Sequence, residues 1–260
     1  AYSEAAAKSF FNEDVKTIPF STFAEILEST SKDITEYAVL PVENSLEGSV
    51  GESYDLLYST DLNATGEIYH RIEHCLIGLG KMEEVDTVYS HPQALGQCRK
   101  FIQENNMKTI PTYDTAGSVK IIQELNEKKC ACIASKTAAV IYNMPIITEN
   151  IADNLNNYTR FLILSKKESA ETGKDKTSII FSIKHEPGSL YRIIENFNKN
   201  NVNLTKIESR PTKANVWEYN FHVDFEGHQK DIKVLEMLNK IKEETLFMKI
   251  LGSYPSAILS

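Results

Sequence analysis

The sequence predicts an α/β protein in which a smaller second domain follows the first. Three observations support this fold class. Segments with a helical period alternate with short apolar strands from residue 3 to residue 165. A polar stretch without a hydrophobic period follows at residues 166–176. The pattern then becomes strand, helix, strand, strand, helix, strand, which is typical of a ferredoxin-like sandwich. We therefore predict domains at residues 1–167 and 177–260, joined by a linker at 168–176.

Local signals give the elements of the first domain. Ser3 precedes a predicted helix through Phe11, and Thr22 with Glu25 forms a capping box for a helix ending near Ser29. The further predictions are strands at residues 37–42, 66–79, 85–89, 108–112 and 130–134, and helices at 49–58, 92–103, 116–125 and 135–142. Strands that alternate with helices in this way predict mainly parallel sheets.

The second domain has its own pattern after the linker. Strands are predicted at residues 177–184, 202–209, 216–225 and 247–252, and helices at 188–200 and 231–241. Residue 188 is a glycine, which marks a turn between the first strand and the first helix.

Composition narrows the class of protein. The 260 residues are 42% hydrophobic and 25% charged, which is typical of a soluble globular protein. The net charge of -8 argues against a nucleic-acid partner, and no apolar run of about 18 residues predicts a membrane span. The first residues do not resemble a secretory signal, and the four cysteines fit neither a disulfide framework nor a zinc site. We expect a reduced, cytoplasmic protein.

One short motif invites a metal interpretation. His70 and His74 match the H-x-x-E-H pattern of a metallopeptidase family. The surrounding residues alternate as in a strand, where two positions four residues apart lie about 13 Å from each other. That separation is too long for one zinc ion. With no phosphate-binding loop and no G-x-G-x-x-G motif, the sequence predicts neither a metal nor a cofactor.

Four polar segments are predicted to follow strands of the first domain. They are residues 41–48 (PVENSLEG), 90–97 (SHPQALGQ), 114–117 (DTAG) and 157–161 (NYTRF). Each alone fits an ordinary turn or helix cap. Ligands of open α/β sheets bind at the carboxyl ends of strands, where helix N-termini also point. Together the four segments indicate a small, polar, anionic ligand.

The same segments carry a family resemblance that covers essentially the whole chain. Residues 40–48, 90–98 and 157–162 resemble the three signature segments of prephenate dehydratases, in the family's order. Residues 187–190 (PGSL) and 207–211 (IESRP) resemble the effector motifs of the family's ACT regulatory domain. The resemblance implies a two-lobed catalytic domain like periplasmic binding proteins, with the active site in the cleft. It also leads us to expect that the family's first strand is missing here, and that no chorismate mutase segment precedes this chain.

The resemblance assigns roles to individual residues. Its implied activity is the decarboxylating dehydration of prephenate to phenylpyruvate, without a cofactor. The implied catalytic residues are Thr159 and Glu43. The implied substrate-binding residues are Asn44, Ser45, Ser90, Gln97, Thr115, Arg160 and Phe161. L-phenylalanine is the implied effector, at Gly188, Ser189, Leu190, Glu208, Ser209, Arg210 and Pro211. Because two ACT domains pair in this family, the resemblance implies a homodimer or homotetramer.

Several alternatives remain open at this point. Either Thr159 or Glu43 supplies the proton. Arg160 either binds a carboxylate of the substrate or forms an ion pair that fixes the last strand of the catalytic domain. The substrate is either prephenate or its transaminated analogue arogenate. A non-catalytic amino-acid sensor is the alternative from a different class of protein.

Overall fold

The computed structural model describes residues 2–12, 15–212 and 218–259 of the chain. In chain order its helices and strands are α1 (Tyr2–Phe10), α2 (Phe23–Ser31), β1 (Ala38–Asn44), β2 (Gly48–Ser49), α3 (Gly51–Ser59), β3 (Asn63–Arg71), β4 (Cys75–Gly78), β5 (Thr87–Ser90), α4 (Pro92–Gln97), α5 (Arg99–Glu104), β6 (Lys108–Pro111), α6 (Gly117–Leu125), β7 (Cys130–Ala134), α7 (Lys136–Ile141), β8 (Ile146–Thr148), β9 (Tyr158–Ser165), β10 (Asp175–Ser182), α8 (Ser189–Lys199), β11 (Leu204–Pro211), β12 (Tyr219–Glu226), α9 (Ile232–Glu243) and β13 (Phe247–Pro255). The α/β class is therefore confirmed.

The chain divides into two compact units. The first comprises Ala1–Glu13 and His70–Thr159, and the second comprises Asp14–Tyr69 and Arg160–Ser260. The second unit thus contains both an early segment of the chain and the C-terminal sheet. The predicted domain boundaries at residues 167 and 177 stay a prediction.

A five-stranded sheet forms the centre of the first unit, in the order β6-β5-β7-β4-β8. β5 pairs in parallel with β6 and β7, whereas β4 pairs antiparallel with β7 and β8. The predicted mainly parallel sheet is therefore wrong, because β4 pairs with neighbours that run against it. β7 is buried over its whole length, and apolar side chains cover both of its faces.

The second unit contains two four-stranded sheets. One has the order β2-β1-β9-β3, and the other has the order β11-β12-β10-β13 with antiparallel pairs. One face of the C-terminal sheet packs against α8 and α9. The opposite face contributes Ile180, Leu251 and Tyr254 to a core shared with β1 and α3. Both faces of the C-terminal sheet thus contribute side chains to buried cores within this unit, whereas alternate residues of β11 are exposed.

One of the two predicted caps is correct and the other is wrong. Ser3 does not precede the first helix but lies within α1, which contains Tyr2–Phe10. The Thr22 hydroxyl accepts a hydrogen bond from the Glu25 backbone N–H, and the Glu25 carboxylate accepts one from the Thr22 N–H. This is the predicted capping box. None of the described helices is both long and apolar enough to cross a membrane.

Four predicted elements need correction or restriction. The long strand at residues 66–79 is two strands, β3 and β4, which belong to different sheets. The helix at 92–103 is broken at Cys98, two residues after the weak helix former Gly96. The segment 157–161 opens β9 instead of following a strand, because β9 begins at Tyr158. β12 begins at Tyr219, and the predicted start of that strand at residues 216–217 lies outside the described residues.

Candidate active and effector sites

Gln97 is held in the first unit by two neighbouring side chains. Its Oε1 lies 2.7 Å from His74 Nε2 and accepts a hydrogen bond from Asn157 Nδ2 at 3.1 Å. The other ring nitrogen of His74, Nδ1, lies 3.1 Å from the Tyr2 hydroxyl. His74 and Asn157 are buried, and Gln97, at the end of α4, is half-buried. The network therefore ties the predicted residue Gln97 to α1 and to the start of β9.

His74 is the neutral centre of this network. Burial lowers the pKa of His74, and the hydrogen bond to Gln97 offsets this only in part, so the imidazole is neutral. A neutral imidazole donates from one ring nitrogen and accepts at the other. The Tyr2 hydroxyl also donates to the Glu73 carbonyl oxygen, at 3.0 Å. The imidazole therefore links Gln97 to Tyr2 without adding a charge.

Ser90 and Thr115 make contacts that stabilise the first unit. Ser90 is fully buried at the end of β5, and its hydroxyl donates to the Ile133 carbonyl oxygen at 2.7 Å. The Thr115 carbonyl oxygen accepts from the Ser118 hydroxyl at 2.6 Å, at the start of α6. These contacts tie β5 to β7 and fix the helix start. A role for either residue in substrate binding stays a prediction.

Glu43, Asn44 and Ser45 lie where β1 ends in the second unit. The Asn44 side-chain oxygen accepts from the backbone N–H groups of Leu46 and Glu47, at 2.9 and 3.1 Å, which forms the turn to β2. Ser45 is exposed at this turn. Glu43 forms an ion pair, 2.9 Å long, between its Oε1 and the ammonium of Lys206. The turn therefore presents a paired carboxylate.

Arg160 is the centre of a buried charged network in the second unit. Its Nε donates to Glu67 at 2.7 Å, its Nη1 donates to Asp224 at 2.5 Å, and its Nη2 donates to the Tyr254 hydroxyl at 3.0 Å. Lys176 donates to the other oxygen of Glu67 at 2.7 Å. Two roles were left open for Arg160, and in the structure it forms the ion pairs that fix β9. The assignment of Arg160 to substrate binding stays a prediction.

The pKa values in this network follow from burial and pairing. Burial alone lowers the pKa of Arg160, but the attraction of Asp224 and Glu67 raises it well above its usual value. Burial raises the pKa of Asp224, but the nearby Arg160 guanidinium outweighs this effect and lowers it. Both groups therefore carry their charges in the folded protein.

The central predicted residue, Thr159, directly precedes Arg160 in β9. Thr159 is half-buried, whereas Arg160 and Phe161 are buried. Phe161 is 1% exposed and is a core residue. The strand thus anchors the residues after Thr159 while leaving Thr159 itself accessible in part.

The predicted effector residues fall into two groups. Gly188, Ser189 and Leu190 line a cavity of about 280 Å³ at the start of α8. Gly188 has a φ of +84°, a conformation that favours glycine. The second group, Glu208, Ser209, Arg210 and Pro211, belongs to β11 and is absent from the described lining of this cavity. Ser209 and Pro211 are exposed, and Arg210 contacts Asp55 at 3.4 Å.

Sequence reasoning missed several residues of these networks. His74 was considered only as a metal ligand, and Lys206, Glu67 and Asp224 were not considered. The alternation of Lys206, Glu208 and Arg210 along β11 was the available signal, because side chains two apart share a strand face. Among the described residues no group of three histidine, cysteine, aspartate or glutamate side chains is arranged to hold a metal ion.

Comparison with known proteins identifies the relatives of this chain. A family model described as prephenate dehydratase matches residues 1–169. A bifunctional chorismate mutase/prephenate dehydratase of Aquifex aeolicus is 40% identical over 99% of this chain and 72% of that protein. Both findings extend over the segments that carry Glu43, Gln97 and Thr159.

Two solved structures are similar over nearly the full length. A prephenate dehydratase from Arthrobacter aurescens in complex with L-Phe has a TM-score of 0.90 and 28% identity, with coverage of 100% of this chain and 90% of the other. A protein described as a novel type of quorum quenching acylase also has a TM-score of 0.90, with 29% identity and coverage of 99% and 95%. The same fold is thus described with two different activities.

Proposed function

The chain belongs to the prephenate dehydratase family and is a hydro-lyase, and from that premise we propose that Thr159 and Glu43 act at the reacting atoms of prephenate. The observation that carries the assignment is the position of Thr159. It lies half-buried at the start of β9, next to the buried ion pairs of Arg160. A rigid strand is well suited to holding a hydroxyl within the narrow range of positions that catalysis needs.

The reaction needs one proton and no external electron carrier. The bond between the ring and its carboxylate breaks, and its electron pair enters the ring as carbon dioxide leaves. The carbon–oxygen bond on the opposite side of the ring breaks, and the departing hydroxyl takes up a proton to become water. Since the ring electrons balance internally, the protein has to deliver the proton and hold the remaining pyruvyl carboxylate.

Each proposed residue suits one of these tasks. The Thr159 hydroxyl donates a hydrogen bond to the departing oxygen or relays a proton to it. Glu43 is the other candidate proton source, although its carboxylate is paired with Lys206. Gln97 is the candidate for contacting a substrate carboxylate, because His74 and Asn157 hold its side chain in place.

The test is conversion of prephenate to phenylpyruvate by the purified chain and by two Thr159 variants. Thr159→Ala should lower kcat by roughly 10²–10⁴, the range of a proton-transfer group, with a smaller change in KM. Thr159→Ser should keep more activity because it keeps the hydroxyl. Thr109→Ala, at an exposed position of β6, is the matched control. Equal losses of kcat in the Ala and Ser variants would show that the Thr159 hydroxyl has no role in the reaction.

Competition between substrates tests the alternatives. Arogenate shares the leaving hydroxyl and the ring carboxylate of prephenate, so the ratio of kcat/KM for the two compounds defines the preference. A chain that binds phenylalanine but converts neither compound would be a sensor. The acylase described for a similar fold is a third outcome, because one fold supports different chemistries.

For regulation, we propose that the C-terminal sheet with α8 and α9 is an ACT domain that binds L-phenylalanine in the cavity at Gly188. Support comes from the cavity, from the helix N-terminus at Ser189, and from the similar L-Phe complex. The proposal includes pairing of two ACT domains, so a homodimer or homotetramer, and a two-lobed catalytic part. The four free cysteines suit the cytoplasm, the expected location.

Gly188→Val tests the effector cavity. The added side chain enters the cavity, so L-phenylalanine should lose its effect while kcat without effector stays close to that of the parent chain. Gly173→Val is a matched control, because Gly173 also has a positive φ, +81°, but faces open space. Both variants carry similar backbone strain. Full inhibition of Gly188→Val by L-phenylalanine would place the effector elsewhere.

A further inference from the structure

Lys206 lies on β11 of the C-terminal sheet and is in direct contact with Glu43. We propose that Lys206 is a positioning residue for Glu43, and that the C-terminal sheet acts on the reaction through this contact. The inference rests on the proposed function, because it takes Glu43 as a residue at the reacting atoms. It adds a named contact by which the regulatory sheet reaches that residue.

Three groups fix the ammonium of Lys206. It lies 2.9 Å from Glu43 Oε1, donates to the Ser49 hydroxyl at 3.2 Å, and lies 5.5 Å from the ring centre of Tyr54. The Lys206 side chain is 11% exposed, whereas that of Glu43 is 36% exposed. Long surface lysines usually move freely and form weak pairs, but this one is enclosed. The position of Glu43 is therefore set by a lysine that has little freedom itself.

A second contact anchors the same strand face to the same segment. Arg210, four residues after Lys206, donates to Asp55 in α3 at 3.4 Å. A Cβ added at Gly51 would lie 2.8 Å from the Arg210 guanidinium, so a residue without a side chain permits this close approach. β11 thus contacts the segment that contains Glu43 at two points. A displacement of β11 would shift both ends of this segment.

The neighbouring strand extends the contact to β9. Asp224 of β12 is the register partner of Lys206, and it forms the buried ion pair with Arg160. Arg160 directly follows Thr159 in the sequence. Two adjacent strands of the C-terminal sheet therefore each hold one residue by an ion pair. Lys206 of β11 holds Glu43, and Asp224 of β12 holds Arg160, the residue next to Thr159.

The effector motif lies on the strand that carries Lys206. The predicted effector residues Ser209 and Pro211 are exposed on β11, while Lys206 and Arg210 project from the opposite face. Phe221 of β12 lines the cavity at Gly188 and is the register partner of Ser209 on β11, so a ligand in that cavity has a short mechanical connection to Lys206 and Glu43. We infer that the effector changes kcat by moving Lys206 and the carboxylate that it holds.

The decisive experiment is a double-mutant cycle between Lys206 and Glu43 in the full chain. Lys206→Met should lower kcat roughly 2- to 100-fold, the range of coupled neighbours, with a smaller change in KM. In a Glu43→Gln background the same substitution should have little further effect. Lys206→Arg should restore part of kcat because it keeps the charge. The ratio of kcat without and with saturating L-phenylalanine should fall toward one in Lys206→Met.

Controls separate this inference from the proposed function and from loss of folding. Lys199→Met removes an exposed lysine of α8 by the same substitution and should leave kcat unchanged. Urea unfolding checks that Lys206→Met is folded; should it not fold, the cycle is read from Lys206→Arg. If the parent chain fails to convert prephenate, the proposed function is wrong. If the parent is active and the effects of Lys206 and Glu43 substitutions simply multiply, Lys206 does not act through Glu43.

Discussion

The two units of the molecule each contain a buried polar network, and the two networks differ in charge. In the first unit the network is neutral and consists of Tyr2, His74, Gln97 and Asn157. In the second unit the network is charged and consists of Glu67, Arg160, Lys176 and Asp224. Both include residues of the segment 157–160, so the two networks flank Thr159 in the sequence.

The difference in charge separates two functions of buried polarity. Removing one partner of a buried ion pair leaves an uncompensated charge, which costs about 3–5 kcal/mol. A neutral hydrogen bond contributes only about 0.5–1.5 kcal/mol net. The charged network is therefore suited to fixing strands permanently, while the neutral network is suited to orienting one amide. We expect substitutions in the charged network to affect folding and substitutions in the neutral network to affect substrate binding.

The largest expected effect is a loss of stability when Arg160 is substituted. Arg160→Met would leave Glu67 and Asp224 buried with reduced compensation, so the free energy of unfolding should fall by about 3–5 kcal/mol or more. Urea unfolding of the parent and variant measures this change. Lys199→Met breaks an exposed pair with Glu195 and should unfold like the parent. Similar curves for Arg160→Met and the parent would remove the distinction between the networks.

A smaller effect is expected from pH, through His222 at the edge of the charged network. Burial lowers the pKa of His222 to about 4, and Nδ1 has no hydrogen-bond partner among the described residues. Between that value and the ordinary pKa of about 6.5, the unfolded chain binds the extra proton. Stability should therefore rise by up to about 3 kcal/mol from pH 4 to pH 6.5 on account of this group.

His222→Gln tests this pH dependence. The variant removes the titrating group, so its free energy of unfolding should rise less steeply over the same pH range, as followed by urea titrations at each pH. His185→Gln, at an exposed position, is the control and should keep the slope of the parent chain. Identical slopes for His222→Gln and the parent would show that His222 is not held neutral in the folded protein.

The smallest effect is expected in the neutral network. His74→Leu removes the imidazole that hydrogen-bonds to Gln97, so the amide loses part of its orientation. KM for prephenate should rise roughly 2- to 10-fold, the value of one hydrogen bond, while kcat changes less. Tyr2→Phe removes only the hydroxyl on the far side of the imidazole and should have a weaker effect. If His74→Leu lost more stability than Arg160→Met, the neutral network and not the charged one would contribute more to folding.

Much of the fold was predictable because its signals are local. The capping box of Thr22 and Glu25 and the buried strand around Cys130 depend on neighbours within a few residues. The long strand at residues 66–79 was wrong because a continuous strand pattern does not show where a chain passes from one sheet to another. The predicted parallel pairing of β4 was wrong for a related reason, since strand pairing depends on distant segments.

The candidate site was predictable in its residue types but not in its contacts. The family motifs pointed to Glu43, Gln97 and Thr159, and these assignments stay predictions. Sequence offered Arg160 as either a carboxylate ligand or a structural ion pair. These two roles can be distinguished only from the positions of the partners of Arg160, which are Glu67 and Asp224 in the structure.

The sequence by itself determined the α/β class, several helix starts, the strand-rich C-terminal pattern and the family, because each depends on local order or on motifs along the chain. The tertiary structure decided which charges meet. Arg160 and Glu67 are 93 positions apart, and Arg160 and Asp224 are 64 apart. Electrostatic compensation acts through space and over a few ångströms, so the sequence separation of two charges says nothing about it. The partners of Arg160, Glu43 and Gln97 therefore became known only from the fold.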